Sequence, residues 1–181
     1  MDHWEDWQKV YQHGTLVIWP PDDLRMLVNR QREENDPKSA AICETHITLT
    51  QPLLHPLNEK QWAVIHNITV DLKPFDIAYG PIKSFLPYPC ILYEIQPADR
   101  VLEIREALHK TGFFDLSLAH TDGFIPHMTI TEGMSGPEVD EKLLLTLQDQ
   151  STSGSFLCSR ITFIKPNEDF LFRVQLHIPL G

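Results

Sequence analysis

At 181 residues, with 42% hydrophobic and 22% charged side chains, the chain has the composition of an ordinary folded domain. It is long enough to bury roughly two-thirds of its unfolded surface without disulfide or metal staples. Twenty-five acidic against 15 basic side chains give a formal net charge of -10, which argues against a broad surface for long nucleic acid, although locally clustered positive charge would still admit a small anion or an RNA end.

The acidic start, Met1-Asp2-His3-Trp4-Glu5-Asp6, lacks the basic and apolar runs of a secretory signal, and no stretch approaches ~20 apolar residues. A cytoplasmic monomer with no membrane partner is therefore expected. Cys43, Cys90 and Cys158 are odd in number and lack CxxC spacing, so they read as small core residues.

In chain order, the run 15–19 reads as a buried strand stopped by Pro20-Pro21. Asp22 and Asp23 then suit a helix start, with Leu24, Leu27 and Val28 on one side before a polar run over 30–38. A strand around His46 ends at Pro52, and Asn58 is placed to cap a helix that turns Trp62, Ile65 and Ile68 inward. Pro74 closes that helix, and 75–85 contains a further strand. The order then restarts with a strand over 90–96 and a helix over 98–110, in which Val101, Leu102, Arg105 and Leu108 fall at helical spacing and Gly112 is the stop. A strand around His127 follows. Gly136-Pro137 opens another helix with the stripe Val139, Leu143, Leu144 and Leu147, and strands near 156–164 and 169–178 complete the chain.

Two quartets echo each other, His46-Ile47-Thr48-Leu49 and His127-Met128-Thr129-Ile130. In an extended strand His46, Thr48 and Thr50 share one face while Ile47 and Leu49 take the other, and His127, Thr129 and Thr131 repeat this against Met128 and Ile130. Each segment offers an imidazole beside a hydroxyl. Set side by side, two such strands would flank a phosphorus atom with one proton acceptor and one proton donor, while the threonines bond its oxygens. A single histidine of this kind is ordinarily a structural residue of a half-exposed strand. The pairing carries the argument, because both motifs occupy the same place in a repeated strand-helix order, close to half a chain length apart. No carboxylate, His or Cys stands in metal-ligand spacing such as HExxH, so a scheme without metal or other cofactor is expected.

The two quartets resemble the H-x-[ST]-h signature of the 2H phosphoesterase superfamily, which includes 2'-5' RNA ligases and RNA 2',3'-cyclic phosphodiesterases. His46, Thr48 and Leu49 fill one copy, and His127, Thr129 and Ile130 the other, with Pro126 also in keeping. The resemblance implies an α+β fold of one domain over 1–181, made of two duplicated lobes whose antiparallel-rich sheets form a central cleft with helices outside. It also implies a metal-independent phosphodiesterase acting on 2',3'-cyclic phosphates of nucleotides or RNA ends, yielding 2'-phosphates. His46 and His127 would be catalytic, His127 as base and His46 as acid, with Thr48 and Thr129 binding phosphate. The alternatives are 2'-5' ligation or 2',5'-phosphodiester cleavage by the same residues, and a nucleotide- or RNA-end-binding protein of weak activity.

Three further residues are candidates for substrate contact. Arg173 alternates with apolar residues near the C-terminus and would bind phosphate if its face lines the cleft, although a solvated outer face explains the same alternation. Tyr93 would stack on a base, unless it is buried in its strand. His120 lies in Ala119-His120-Thr121-Asp122, a loop at the cleft mouth. Glu44, just ahead of the first motif, either faces the pocket or sits at the strand edge.

Overall fold

The computed structural model describes residues 3–85, 88–119 and 121–181. Eight strands, β1 (Thr15–Ile18), β2 (Ile47–Thr48), β3 (Phe75–Ser84), β4 (Ile91–Gln96), β5 (His127–Thr131), β6 (Gly154–Cys158), β7 (Arg160–Pro166) and β8 (Phe172–Pro179), form one sheet in the order β6-β3-β4-β5-β2-β1-β7-β8. Every pairing is antiparallel. The expected pair of separate sheets is thus a single one, because β2 and β5 pair through Ile47 and Met128 and join the two four-stranded halves.

The run expected as one strand over 156–164 is two strands divided at Ser159. β6 pairs with β3 at one edge, whereas β7 pairs with β1 near the other. A one-residue link can join such distant positions only if the sheet curls back on itself, which draws its concave face into a cleft.

The convex face carries the main core. Leu16, Ile18, Ile47, Leu49, Met128 and Ile130 point into it, and each fully buried side chain of this kind contributes roughly 1.5–3 kcal/mol. Four helices cover it: α2 (Asp22–Asn35), α4 (Glu59–Val70), α5 (Ala98–His109) and α6 (Glu141–Asp149) supply Val28, Ile65, Ile104 and Leu147. Two short helices, α1 (Asp6–Lys9) and α3 (Pro37–Ile42), complete the set among the described residues. Asn58 caps α4 as expected, accepting from the Gln61 amide at 3.0 Å while the Gln61 side chain accepts from the Asn58 amide at 3.1 Å. α6 starts later than Gly136-Pro137, at an Asp140 cap that accepts from the Leu143 amide at 2.8 Å.

The polar run 30–38 is the other departure. α2 runs into it as far as Asn35 and α3 begins at Pro37, and Gln31, Arg32 and Asp36 are buried. The buried Asp36 carboxylate accepts from the amides of Glu132, Met134 and Ser135 at 2.8, 3.2 and 2.8 Å, tying the segment after β5 to the end of α2. Gly136 follows at φ +105°, where a Cβ would strike the Asn35 carbonyl, so only glycine permits this approach. Among the described residues, no helix is long and apolar enough to cross a membrane.

Candidate active site

The antiparallel register that pairs Ile47 with Met128 places His46 beside Thr129 and Thr48 beside His127. Opposed residues share a face, so the two imidazoles and two hydroxyls form a square on the concave side, with Ile47 and Met128 fully buried behind it. All four polar residues are half-buried. Among the described residues, neither Thr48 nor Thr129 spends its hydroxyl on a protein partner. The threonine two residues further along each strand does: Thr50 Oγ1 accepts from the Leu16 amide and Thr131 Oγ1 from the Ile91 amide, each at 3.1 Å, pinning the motif strand to its neighbour.

Both rings are oriented in the same way. His46 Nδ1 lies 2.8 Å from the Glu44 carbonyl, and His127 Nδ1 lies 2.6 Å from the Ile125 carbonyl. A carbonyl only accepts, so each Nδ1 carries the proton and each neutral ring keeps its Nε2 lone pair for chemistry. The segment before His46 is held by α2. Arg25 Nε donates to the Glu44 carboxylate at 2.7 Å, and the Thr45 amide donates to Asn29 Oδ1 at 2.7 Å. Glu44 therefore sits at the edge, paired with α2, and its backbone carbonyl is what serves the histidine.

Burial pushes the His46 pKa down to about 4, with smaller downward contributions from Arg32 and His127 and an opposing one from the bond to Glu44. His127 is also lowered by burial, but its bond to Ile125 and the charge of Glu132 work against this. The neighbouring Cys43 thiol, with Sγ 3.5 Å from His46 Nδ1, is pushed by burial up to about 12 and stays protonated.

Two buried arginines stand behind the square, each reaching from one half of the fold to the other. Arg32 on α2 donates to the Thr129 carbonyl at 2.9 Å, to the Ser39 carbonyl and hydroxyl at 3.2 and 3.0 Å, and to the Cys43 carbonyl at 3.1 Å. Arg105 on α5 donates to the Leu49 carbonyl at 3.0 Å and lies 4.3 Å over the Phe124 ring, which in turn is 5.9 Å from the His127 ring. Burial lowers the Arg105 pKa to about 10, so it remains charged at neutral pH. None of these arginine partners is a carboxylate, so neither guanidinium is neutralised by the groups that hold it. The sequence reading missed Arg32 inside a polar run. It placed Arg105 at helical spacing without seeing that an arginine on an apolar stripe is itself a signal of a buried charge with a task.

Tyr93 does not join the site. Its register partner is Met128, so it points into the convex core, where it is fully buried and its hydroxyl donates to Gln31 Oε1 at 3.1 Å. A base has no access to it. Arg173 stands exposed on β8, donating to the Phe172 carbonyl at 3.1 Å, with two strands between it and β2. His120 lies outside the described residues. His109 accepts from the Gln51 amide at 3.0 Å and is held neutral, with burial taking its pKa to about 4. Cys43 and Cys158 are buried and Cys90 is half-buried, and all three are free thiols. Among the described residues, no group of three or more His, Cys, Asp or Glu is placed to hold a metal ion.

The chain is 29% identical over 126 residues to a Bacillus cereus protein named "Putative phosphoesterase", covering 68% of this chain and 71% of that one. A protein of the same name from Bacillus thuringiensis matches to the same extent. Escherichia coli LigT, solved in complex with 3'-AMP, superposes with a TM-score of 0.62 at 14% identity over 94% of this chain and 98% of that one. TT0787 of Thermus thermophilus gives 0.61 at 13% identity over 92% and 96%. At such identities these two establish a shared fold. The model of the 2'-5' RNA ligase superfamily matches residues 20–170, and the chain belongs to that superfamily.

Proposed function

We propose that this protein hydrolyses 2',3'-cyclic phosphates of nucleotides or RNA ends, with His46 and His127 exchanging protons and Thr48 and Thr129 bonding the non-bridging oxygens. The observation that carries the reading is the square itself, in which both imidazoles are tied through Nδ1 to a carbonyl and, among the described residues, both hydroxyls lack a protein partner. One Nε2 takes a proton from water as its oxygen forms the new bond to phosphorus. The opposite ring, protonated at Nε2, gives its proton to the ribose oxygen whose bond to phosphorus breaks. Arg32 and Arg105 favour the anion as charge builds on its oxygens.

Electrostatics of the site favours His46 as base and His127 as acid. Arg32 opposes protonation of His46, whereas Glu132 assists that of His127. This is the reverse of the polarity implied by the family resemblance. LigT has been solved with 3'-AMP, with NADP+ and with ATP, which supports a small nucleotide as the ligand here. The same reading treats the chain as one domain of two pseudo-symmetric halves, each contributing one motif. The crosswise arginines and the matched Thr50 and Thr131 bonds support it.

The test incubates the protein with EDTA and the four nucleoside 2',3'-cyclic monophosphates, and with a short RNA ending in a cyclic phosphate, resolving 2'- from 3'-phosphate products. Turnover that falls at least ~100-fold in His46→Ala and in His127→Ala is the expected result. A near wild-type rate in either variant rejects the two-histidine mechanism, and no turnover on any substrate leaves nucleotide binding as the reading to measure.

A further inference from the structure

A cavity of about 180 Å³ is lined by His46 and Thr48 and by four aromatic side chains, Trp7, Tyr11, Phe170 and Phe172. The aromatic cluster is built around Phe170. Its ring meets Trp7 at 5.2 Å, Tyr11 at 6.4 Å and Phe172 at 5.5 Å between centroids, all edge to face. Phe170 holds φ +61°, a left-handed conformation that side-chain-bearing residues adopt only where their surroundings over-determine it, and such strain concentrates at ligand sites. The turn is fixed by Asn167, whose Oδ1 accepts from the Asp169 and Leu171 amides at 3.1 and 2.8 Å. Trp7, Tyr11 and Phe172 lie outside the stretch 20–170 that matches the family model.

We propose that this cavity is a subsite for a flat heteroaromatic ring, the nucleobase of a nucleotide whose phosphate lies against His46 and Thr48. The proposal rests on reading the histidine-threonine face as a phosphate site. Continuity supports it, since His46 and Thr48 line the same cavity as the aromatic rings, so that a ribose would join the two. Size agrees: an apolar cavity of roughly 150 Å³ admits one benzene ring, whereas pockets enclosing a whole ligand run to roughly 300–1,000 Å³. The cavity therefore takes a ring and leaves sugar and phosphate in the open cleft. Stacking tolerates every base, so the subsite selects nucleotides over simple phosphates rather than one base over another.

The experiment measures, by calorimetry, binding of adenosine 2'-monophosphate, of methyl ribofuranoside 2-phosphate, which lacks the base, and of inorganic phosphate. Ligand-observed NMR follows adenosine alone. The nucleotide should bind about 10- to 100-fold more tightly than the abasic phosphate. Trp7→Ala and Phe172→Ala should each cut that ratio at least threefold while inorganic phosphate affinity holds, and Trp7→Phe should retain it. Trp7 is 45% exposed, so its truncation leaves the fold intact. A ratio near one in the wild-type protein, or one unchanged in both alanine variants, overturns the subsite. If inorganic phosphate fails to bind while adenosine binds in a Trp7-dependent way, the phosphate reading falls and the ring subsite stands. Failure of adenosine and nucleotide alike overturns the subsite.

Discussion

Replacing Arg32 with methionine tests the buried charge behind the histidine-threonine face. The guanidinium is 3% exposed and donates four hydrogen bonds, three of them to carbonyls of β5, α3 and the segment before His46. Methionine fills much of the volume but leaves those acceptors without a donor, at about 1 kcal/mol each for the lower end of the usual range. Removing a charge that no carboxylate compensates works the other way, because its desolvation cost disappears. With four charge-assisted bonds on one side of the balance, a net loss of about 2–3 kcal/mol is expected, which lowers the melting temperature by roughly 5–10 °C in a chain of this length. Urea denaturation measures this loss, and NMR titration follows the His46 ring. The His46 pKa should rise, because Arg32 is one of the charges holding it down, yet stay below 6.5, because burial is the larger cause and persists. Unchanged stability together with an unchanged His46 titration would refute the assignment of Arg32 as the bridge between the two motif strands.

Other outcomes follow from the same geometry. The folded pKa of His46 is lowered from 6.5 to about 4, so the unfolded chain takes up a proton in that interval that the native state refuses. Stability should be independent of this group above about pH 6.5 and fall towards pH 4, by at most about 3.5 kcal/mol at 1.36 kcal/mol per unit. His46→Gln should flatten that part of a urea-midpoint profile, and an equally steep acid limb in the variant counts against a neutral buried ring. Tyr93→Phe removes the hydroxyl's bonds to Gln31 and to the Thr152 backbone and should cost about 1–2 kcal/mol with kcat/KM unchanged. A change in substrate preference would return Tyr93 to the ligand site. Asp36→Ala strands the amides of Glu132, Met134 and Ser135 and should cost about 3 kcal/mol, with faster hydrogen exchange at those three amides. Protection equal to wild type would show that the segment is held by other contacts.

Much of the fold was legible in the residues because its rules are local. Alternation of Ile47 and Leu49 against His46 and Thr48 depends only on the two-residue repeat of a strand, and the Asn58 cap depends only on a side chain reaching three residues ahead. Burial of Tyr93 was a matter of register: the pairing with Met128 turns it to the convex side, and a one-residue slip would have reversed that. The single sheet was hidden for a similar reason. Whether two half-sheets join depends on the Ile47–Met128 bridge between residues far apart in the chain. The 156–164 run looks like one strand until its two parts pair at distant positions in the curled sheet.

By itself, then, the chain determined the two imidazoles, their hydroxyl companions and the helices behind them, since each is written in spacing of a few residues. Only the tertiary structure decided that His46 stands beside Thr129 and Thr48 beside His127, that Arg32 and Arg105 each cross to the opposite motif, and that Trp7, Tyr11 and Phe172 meet at one end of a cavity. Those contacts span most of the chain, and nothing local encodes them. They arise when buried apolar faces force a particular register and curl on the sheet, and the polar side chains on its other face are carried into place.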